Sequence, residues 1–171
     1  AMAYDAGQFH LGTTTLSIRD LSFERMAHAA LMSPPLHLHV QRDVDAAFKI
    51  ESTSCIHARG RIVARPSQPA RRLDLAAWQA RVTEQISGQR FYEAFTRMGL
   101  DYGSTLRLIE SAGAGDGFVL TRLRVPDGAV GLPLPPNLMD AALQSTLGFV
   151  LRQDAGPIPL QVPVRIEVID I

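Results

Sequence analysis

Asp140 and Gln144 stand four residues apart in Pro136-Asn137-Leu138-Met139-Asp140-Ala141-Ala142-Leu143-Gln144. On a helix that spacing puts both side chains on one face, within hydrogen-bond reach. Ala141, Ala142, Leu143, Leu147 and Phe149 offer little polar surface, so this helix is expected to be buried. A carboxyl group among such residues loses hydration of its charged form and can hold a proton near neutral pH, as a general acid must. The residue types also allow a plainer arrangement, and more often mean it: a solvated Asp near a helix N-terminus that complements the helix dipole. Tyr102, beside Gly103 in a turn, has a hydroxyl that could bond a substrate oxygen, although a tyrosine capping a sheet edge is commoner.

Other candidates carry less. His37 and His39 share one face of a strand, but a metal needs a third and fourth ligand, and no nearby acidic or cysteine cluster supplies them. Cys55 and His57 could form a nucleophile–base pair; residues i and i+2 face the same way without guaranteed contact, and no oxyanion feature accompanies them. His10 and His28 have no recognisable setting. Gly113, Gly115 and Gly117 suggest a phosphate loop, but that needs a strand before and a helix after it. The following Phe118–Val125 alternates like a strand, so a glycine-rich hairpin turn is expected.

The elements that must position these residues come from 171 residues, 46% hydrophobic and 20% charged, the composition of a globular chain. Lys+Arg and Asp+Glu both number 17, which argues against electrostatic capture of nucleic acid or an anionic membrane. The single cysteine, Cys55, excludes an intrachain disulfide and a cysteine-rich zinc site and fits a reducing cytosol. No run reaches the roughly 18 to 20 apolar residues that span a bilayer. Ala1-Met2-Ala3-Tyr4-Asp5 has no basic stretch leading into an apolar run, so no signal peptide is expected and a cytoplasmic location is.

Residues 3–11 are read as the tail of a helix capped by Gly12. Strands are expected from Leu16 to Leu21, at Leu36–Val40 after Pro34-Pro35, near Ala46–Ser52 and at Cys55–Ala64. Arg65–Arg72, with two prolines, is the linker candidate. Asp74 is placed to cap a helix starting at Leu75. Gly88–Met98 sets Phe91, Phe95 and Met98 on one helical stripe. Strands follow at Leu106–Ser111 and Gly117–Val125. The rigid Gly131–Asn137 leads into a helix over Leu138–Leu151, and Pro157–Ile171 alternates as a final strand. This order predicts an α+β fold with helices packed on antiparallel sheets.

Three segments together resemble the dehydratase domains of modular polyketide synthases. Leu138–Gln144 is similar to the family's LLDAALQ motif, Gly99–Leu106 to its GLxYGPxF segment, and Pro163–Glu167 to its proline-led LPFxxxxVxI strand. Ile18–Phe23 and Ile56–Ile62 match first-lobe strands less closely. The resemblance runs in order over essentially the whole chain. It implies a double hotdog: two curved antiparallel sheets, each wrapping a central helix, the first lobe lacking its N-terminal part. The lobes would be residues 1–65 and 88–171, with 66–87 as linker and crossing segment. It implies loss of water from a β-hydroxyacyl chain carried on acyl carrier protein. A first-lobe histidine would remove the α-proton, and Asp140, oriented by Gln144, would protonate the departing hydroxyl. Tyr102, Gly103 and Pro136 would line the substrate tunnel. It implies no metal and no cofactor of the domain's own, since the phosphopantetheine arm belongs to the carrier protein. The implied partners are that carrier protein with its tethered polyketide chain, a neighbouring ketosynthase and other synthase domains; a homodimer formed through the parent synthase is compatible with it.

The departures bear on activity. The family's HxxxGxxxxP motif follows none of the five histidines: His10 has Thr14 at the glycine position, and His28 has Met32 there and His37 at the proline position. Pro135 stands where the family usually has His, and Ser104 and Leu106 replace the Pro and Phe of YGPxF. An acid without its base cannot run the elimination efficiently. The chain as given is therefore expected to be non-dehydrating, of the chain-branching or scaffolding kind found beside ketosynthases in trans-acyltransferase systems. The alternative is a true dehydratase present as an N-terminally truncated chain.

Overall fold

A computed structural model describes residues 2–13, 15–25, 37–40, 46–52, 55–66, 72–125, 134–152 and 162–171. The expected turn at Pro34-Pro35, most of the 65–72 linker, the extended 131–133 segment and residues 157–161 of the expected last strand lie outside them, as does His28. The chain forms two compact units, Ala1–Pro69 with Val162–Ile171, and Ala70–Gln161.

The first unit opens with helix α1 (Met2–Leu11). Gly12 ends it in the left-handed region, φ 64°, and its N–H bonds the Gln8 carbonyl at 2.9 Å, the glycine stop the sequence suggests. Strands β1 (Leu16–Phe23), β2 (His37–Val40), β3 (Ala46–Glu51), β4 (Ile56–Ala64) and β8 (Arg165–Asp170) pair antiparallel in the order β2-β3-β4-β1-β8. On β4 Ala58, Gly60 and Ile62 are buried while Arg59 and Arg61 are exposed, the period-two pattern of a half-covered sheet. Helix α1 meets the buried face through Gly7, where a Cβ would lie 2.7 Å from Ile62 Cγ2 and 2.9 Å from Leu16 Cδ1. Leu16 and Ile62 are both wholly buried under it.

The second unit holds helix α2 (Leu75–Gln79), strand β5 (Glu84–Ser87), helix α3 (Gly88–Arg97) and strands β6 (Ile109–Gly115) and β7 (Phe118–Leu123). Helix α4 (Pro136–Gln144), a 3-10 turn at Ser145–Leu147 and helix α5 (Gly148–Leu151) follow. Asp74 caps α2 by accepting from Ala77 N at 3.0 Å, and Ser87 caps α3 by accepting from Arg90 N at 3.3 Å. The sheet runs β5-β6-β7. Phe91, Tyr92, Ala94 and Phe95 of α3 pack with Ile86, Ile109, Ala112, Ala114, Leu147 and Leu151 to form its core.

The α+β architecture is the expected one, with differences in detail. The last strand sits in the first sheet, not in a second lobe of residues 88–171. Ser17, Ile18 and Arg19 pair with Asp170, Ile169 and Val168, and Ser17 Oγ donates to Asp170 Oδ1 at 2.5 Å. Alternation identifies a strand but not its neighbour. β5 lies inside the expected crossing segment 66–87, because Gln85 and Ile86 pair with Gly113 and Ala112. Gly113 and Gly115 belong to β6, where Gly113 faces Val82 closely; only Asp116-Gly117 turns the hairpin, with Gly117 at φ 73°. The expected single helix 138–151 is broken, since Ser145 Oγ bonds back to Ala141 O at 2.8 Å and Thr146 Oγ1 to Leu143 O at 2.7 Å, a competition that bends helices.

Candidate active site

Pro136 starts α4, where its missing N–H costs nothing, and Asp140 and Gln144 follow on the same side one and two turns later. Gln144 Nε2 donates to Asp140 Oδ2 at 2.6 Å and to Leu106 O at 3.2 Å. That carbonyl comes from the turn after Gly103, closed by Leu106 N donating to Gly103 O at 3.0 Å. The 99–106 segment thus meets α4 through one amide. The expectation of a wholly buried helix is not met: Ala141 and Gln144 are buried, Asp140 only partly. Its Oδ1 has no hydrogen-bond partner among the described residues. Gln144 is 4% exposed, and its Oε1 is buried without a partner among the described residues. Such an orphan costs about 1–3 kcal/mol, a sacrifice natural cores rarely keep without use.

Tyr102 stacks edge-on against Phe95, ring centroids 4.9 Å apart, and approaches Tyr92 at 6.4 Å. It therefore caps the aromatic face of α3 and not a sheet edge. Burial, then the Asp140 charge and Tyr92, raise the Tyr102 hydroxyl above the usual tyrosine range, so it remains a protonated donor at neutral pH. Tyr92 is raised mainly by burial too, and its oxygen accepts from Ile109 N at 2.9 Å. Sequence reading did not single out Tyr92; its place on the apolar stripe of α3 looked purely structural. Arg107 was also missed. It ties the loop by donating to Tyr102 O at 2.6 Å and Asp101 Oδ1 at 3.0 Å. Gly103 is exposed, and a Cβ there would meet nothing within 4 Å, so no protein group requires a glycine. Pro136 is exposed at the start of α4.

The first unit brings the other sequence candidate together as well. His57 Nε2 lies 3.0 Å from Ser52 Oγ and 3.6 Å from Cys55 Sγ, and Nδ1 lies 3.1 Å from the Arg25 carbonyl. Nδ1 faces a carbonyl acceptor, so it carries the hydrogen of that bond. His39 pairs with Glu51 at 2.9 Å. Among the described residues no group of three His, Cys, Asp or Glu could hold a metal, and no helix is long and apolar enough to cross a membrane.

A carboxylate held by a glutamine four residues on, in a chain of antiparallel sheets and packed helices, is the arrangement that the resemblance to polyketide synthase dehydratase domains implies. Comparison with known proteins agrees. Residues 70–171 match the polyketide synthase dehydratase N-terminal domain family, and the chain belongs to that family. It is 26% identical over 162 residues to the polyketide synthase PksM of Bacillus subtilis, covering 85% of this chain and 4% of that protein. A trans-AT polyketide synthase dehydratase domain from Brevibacillus brevis is 27% identical with a TM-score of 0.76, covering 92% of this chain and 59% of the other. The dehydratase domain of RzxB from Pseudomonas fluorescens shares the fold, with a TM-score of 0.82 at 24% identity over 98% of this chain and 65% of its own. The chain thus spans a small part of the curated relative and less than two thirds of each solved domain.

Proposed function

We propose that this domain handles acyl chains tethered to an acyl carrier protein within a modular polyketide synthase, and that Asp140 meets the β-oxygen of the chain. The observation that carries the reading is the bond from Gln144 Nε2 to Asp140 Oδ2 at 2.6 Å, which fixes the carboxyl group and leaves Oδ1 open to a ligand. Tyr102, a protonated donor near that carboxylate, supplies a second polar contact, and the open space at Gly103 and the exposed Pro136 admit the chain. The domain needs no cofactor of its own; the phosphopantetheine arm is the carrier protein's. Its further partners are a ketosynthase and other synthase domains.

The chain as given supplies an acid, and none of its five histidines carries the family's base motif. Elimination needs both, and a missing partner costs roughly two to four orders of magnitude. By itself, then, the domain binds the β-oxygenated chain without removing water, in a branching or scaffolding role beside a ketosynthase. The intact Asp140–Gln144 pair favours a second reading, a true dehydratase completed by a histidine supplied from further upstream.

Intact-protein mass spectrometry of a carrier protein loaded with a β-hydroxyacyl chain, with and without the domain, tests this. The first reading expects no loss of water, with the chain as given or extended upstream. Loss of one water that disappears in Asp140→Asn overturns it and establishes the dehydratase.

A further inference from the structure

Residues 101–106 form a loop of the second unit between two fixed flanks. Its start is tied to α3: Gly99 turns the chain at φ 85°, and Leu100 N donates to Phe95 O at 2.9 Å. Its end runs into buried Leu108, whose carbonyl accepts from Arg124 N at 2.8 Å, and then into β6. Gly103, Ser104 and Thr105 between them are exposed. An exposed run of small and polar residues keeps much freedom unless something ties it down. Yet this loop carries two groups that bear on Asp140. The Tyr102 hydroxyl lies within reach of the Asp140 charge. The Leu106 carbonyl accepts at 3.2 Å from Gln144 Nε2, the same nitrogen that holds Asp140.

Two bonds close the loop on itself. Leu106 N donates to Gly103 O at 3.0 Å, and Arg107 Nε donates to Tyr102 O at 2.6 Å. The second has a charged donor and is the stronger kind. The same guanidinium reaches Asp101 Oδ1 through Nη2 at 3.0 Å and lies 5.5 Å from the centroid of the Tyr92 ring. Tyr92 is itself anchored, its oxygen accepting from Ile109 N of β6. One planar fork therefore joins residues 101 and 102 of the loop to a fixed aromatic ring. A lysine, with a compact charge and no fork, cannot meet all three.

These contacts do little for the fold. The side chains of Arg107 and Asp101 are 45% and 84% exposed, and ion pairs so exposed contribute little stability. A cation over a ring at an exposed site adds little more. What they fix is Tyr102. Its carbonyl is held by Arg107 at one end, and its ring is set edge-on against Phe95, 4.9 Å away, at the other.

We propose that Arg107 is a positioning residue of the acyl-chain site: its guanidinium holds the 101–106 loop so that the Tyr102 hydroxyl and the Leu106 carbonyl keep their places relative to Asp140 and Gln144. The role rests on Asp140 being the group that meets the β-oxygen of the chain. Arg107 acts on that chain through Tyr102 and, by way of Leu106, through Gln144.

Amide and aromatic NMR of the full chain, first without ligand and then titrated with β-hydroxybutyryl pantetheine, tests the role. In Arg107→Gln the Gln144 side-chain amide and the Tyr102 ring signals are expected to move toward their unrestrained positions, with the urea midpoint near that of the unchanged protein. Affinity for the thioester is expected to fall about tenfold, the worth of one charged hydrogen bond. Arg107→Lys keeps the charge without the fork, and is expected to leave both signals displaced and most of the affinity lost. Unmoved signals in Arg107→Gln, unchanged affinity despite moved signals, or full recovery in Arg107→Lys overturns the role. If the unchanged protein does not bind the thioester, it is the functional reading that fails, and the two ligand-free signals still decide whether Arg107 holds the loop.

Discussion

Each unit contains one polar knot built on a short sequence spacing, and the two are finished differently. In the first, His57 is 7% exposed and both ring nitrogens are used: Nδ1 on the Arg25 carbonyl, Nε2 on Ser52 with Cys55 behind. Its own carbonyl accepts from Glu24 N at 2.8 Å. In the second, Asp140 is partly exposed with one oxygen unpartnered, and Gln144 keeps a buried oxygen without a donor among the described residues. A saturated cluster ties backbone to backbone and gains stability. An unsaturated one gives up stability and leaves bonding capacity for a ligand. Residue types and spacing already rank the Asp–Gln pair above the Cys–His pair, and counting partners gives the same order.

The contrast breaks most readily at His57. His57→Leu keeps the volume but strands Ser52 and the Arg25 carbonyl, and should lower stability by about 1–3 kcal/mol in urea unfolding while acyl binding stays unchanged. Asp140→Leu should do the reverse. Affinity for a β-hydroxyacyl pantetheine thioester, read by calorimetry, should fall about tenfold, with the urea midpoint within experimental error, because Gln144 retains the Leu106 carbonyl. Gln144→Ala removes a bonded donor together with an orphaned acceptor. A loss of a few-fold in affinity at nearly constant stability is expected; a loss of about 3 kcal/mol would make Gln144 a structural residue.

Tyr102 sharpens the comparison through pH. Its hydroxyl, like that of Tyr92, is raised above the value of about 10 it has in an unfolded chain. The unfolded state therefore loses its protons first as pH rises. The stability from these groups is complete below pH about 10 and is lost above it, through the raised folded-state values. Ultraviolet titration of tyrosinate should show Tyr92 and Tyr102 ionising late, and Tyr102→Phe should remove one late step. Gly103→Ala should have the smallest effect, none on stability, since a Cβ there has open space.

Much of this was legible in the sequence because the signals are local. The four-residue spacing of Asp140 and Gln144 fixes a shared helix face wherever the helix packs. Asp74 before Leu75 and Gly12 after Leu11 are cap chemistry, and both caps form. Long-range choices were not legible. Alternation in residues 165–170 specifies a strand, yet its place beside β1 depends on Ser17, about 150 positions earlier, meeting Asp170. The division of the helix after Gln144 was hidden because Ser145 and Thr146 are tolerated in helices until their hydroxyls bond back to the preceding turn. The contact between Cys55 and His57 was undecidable from spacing, since the imidazole is turned by the Arg25 carbonyl from another strand's end. Tyr92 and Arg107 carried no motif, and only packing shows their roles.

The claim that the unsaturated knot is the site and the saturated one is scaffold is tested most directly by amide NMR of the domain titrated with β-hydroxybutyryl pantetheine. The account expects saturable shifts at Leu106, Asp140 and the Gln144 side-chain amide, absent in Asp140→Leu and retained at Leu106 and Asp140 in His57→Gln. Shifts centred on Ser52, Cys55 and His57, or binding that survives Asp140→Leu unchanged, would contradict it.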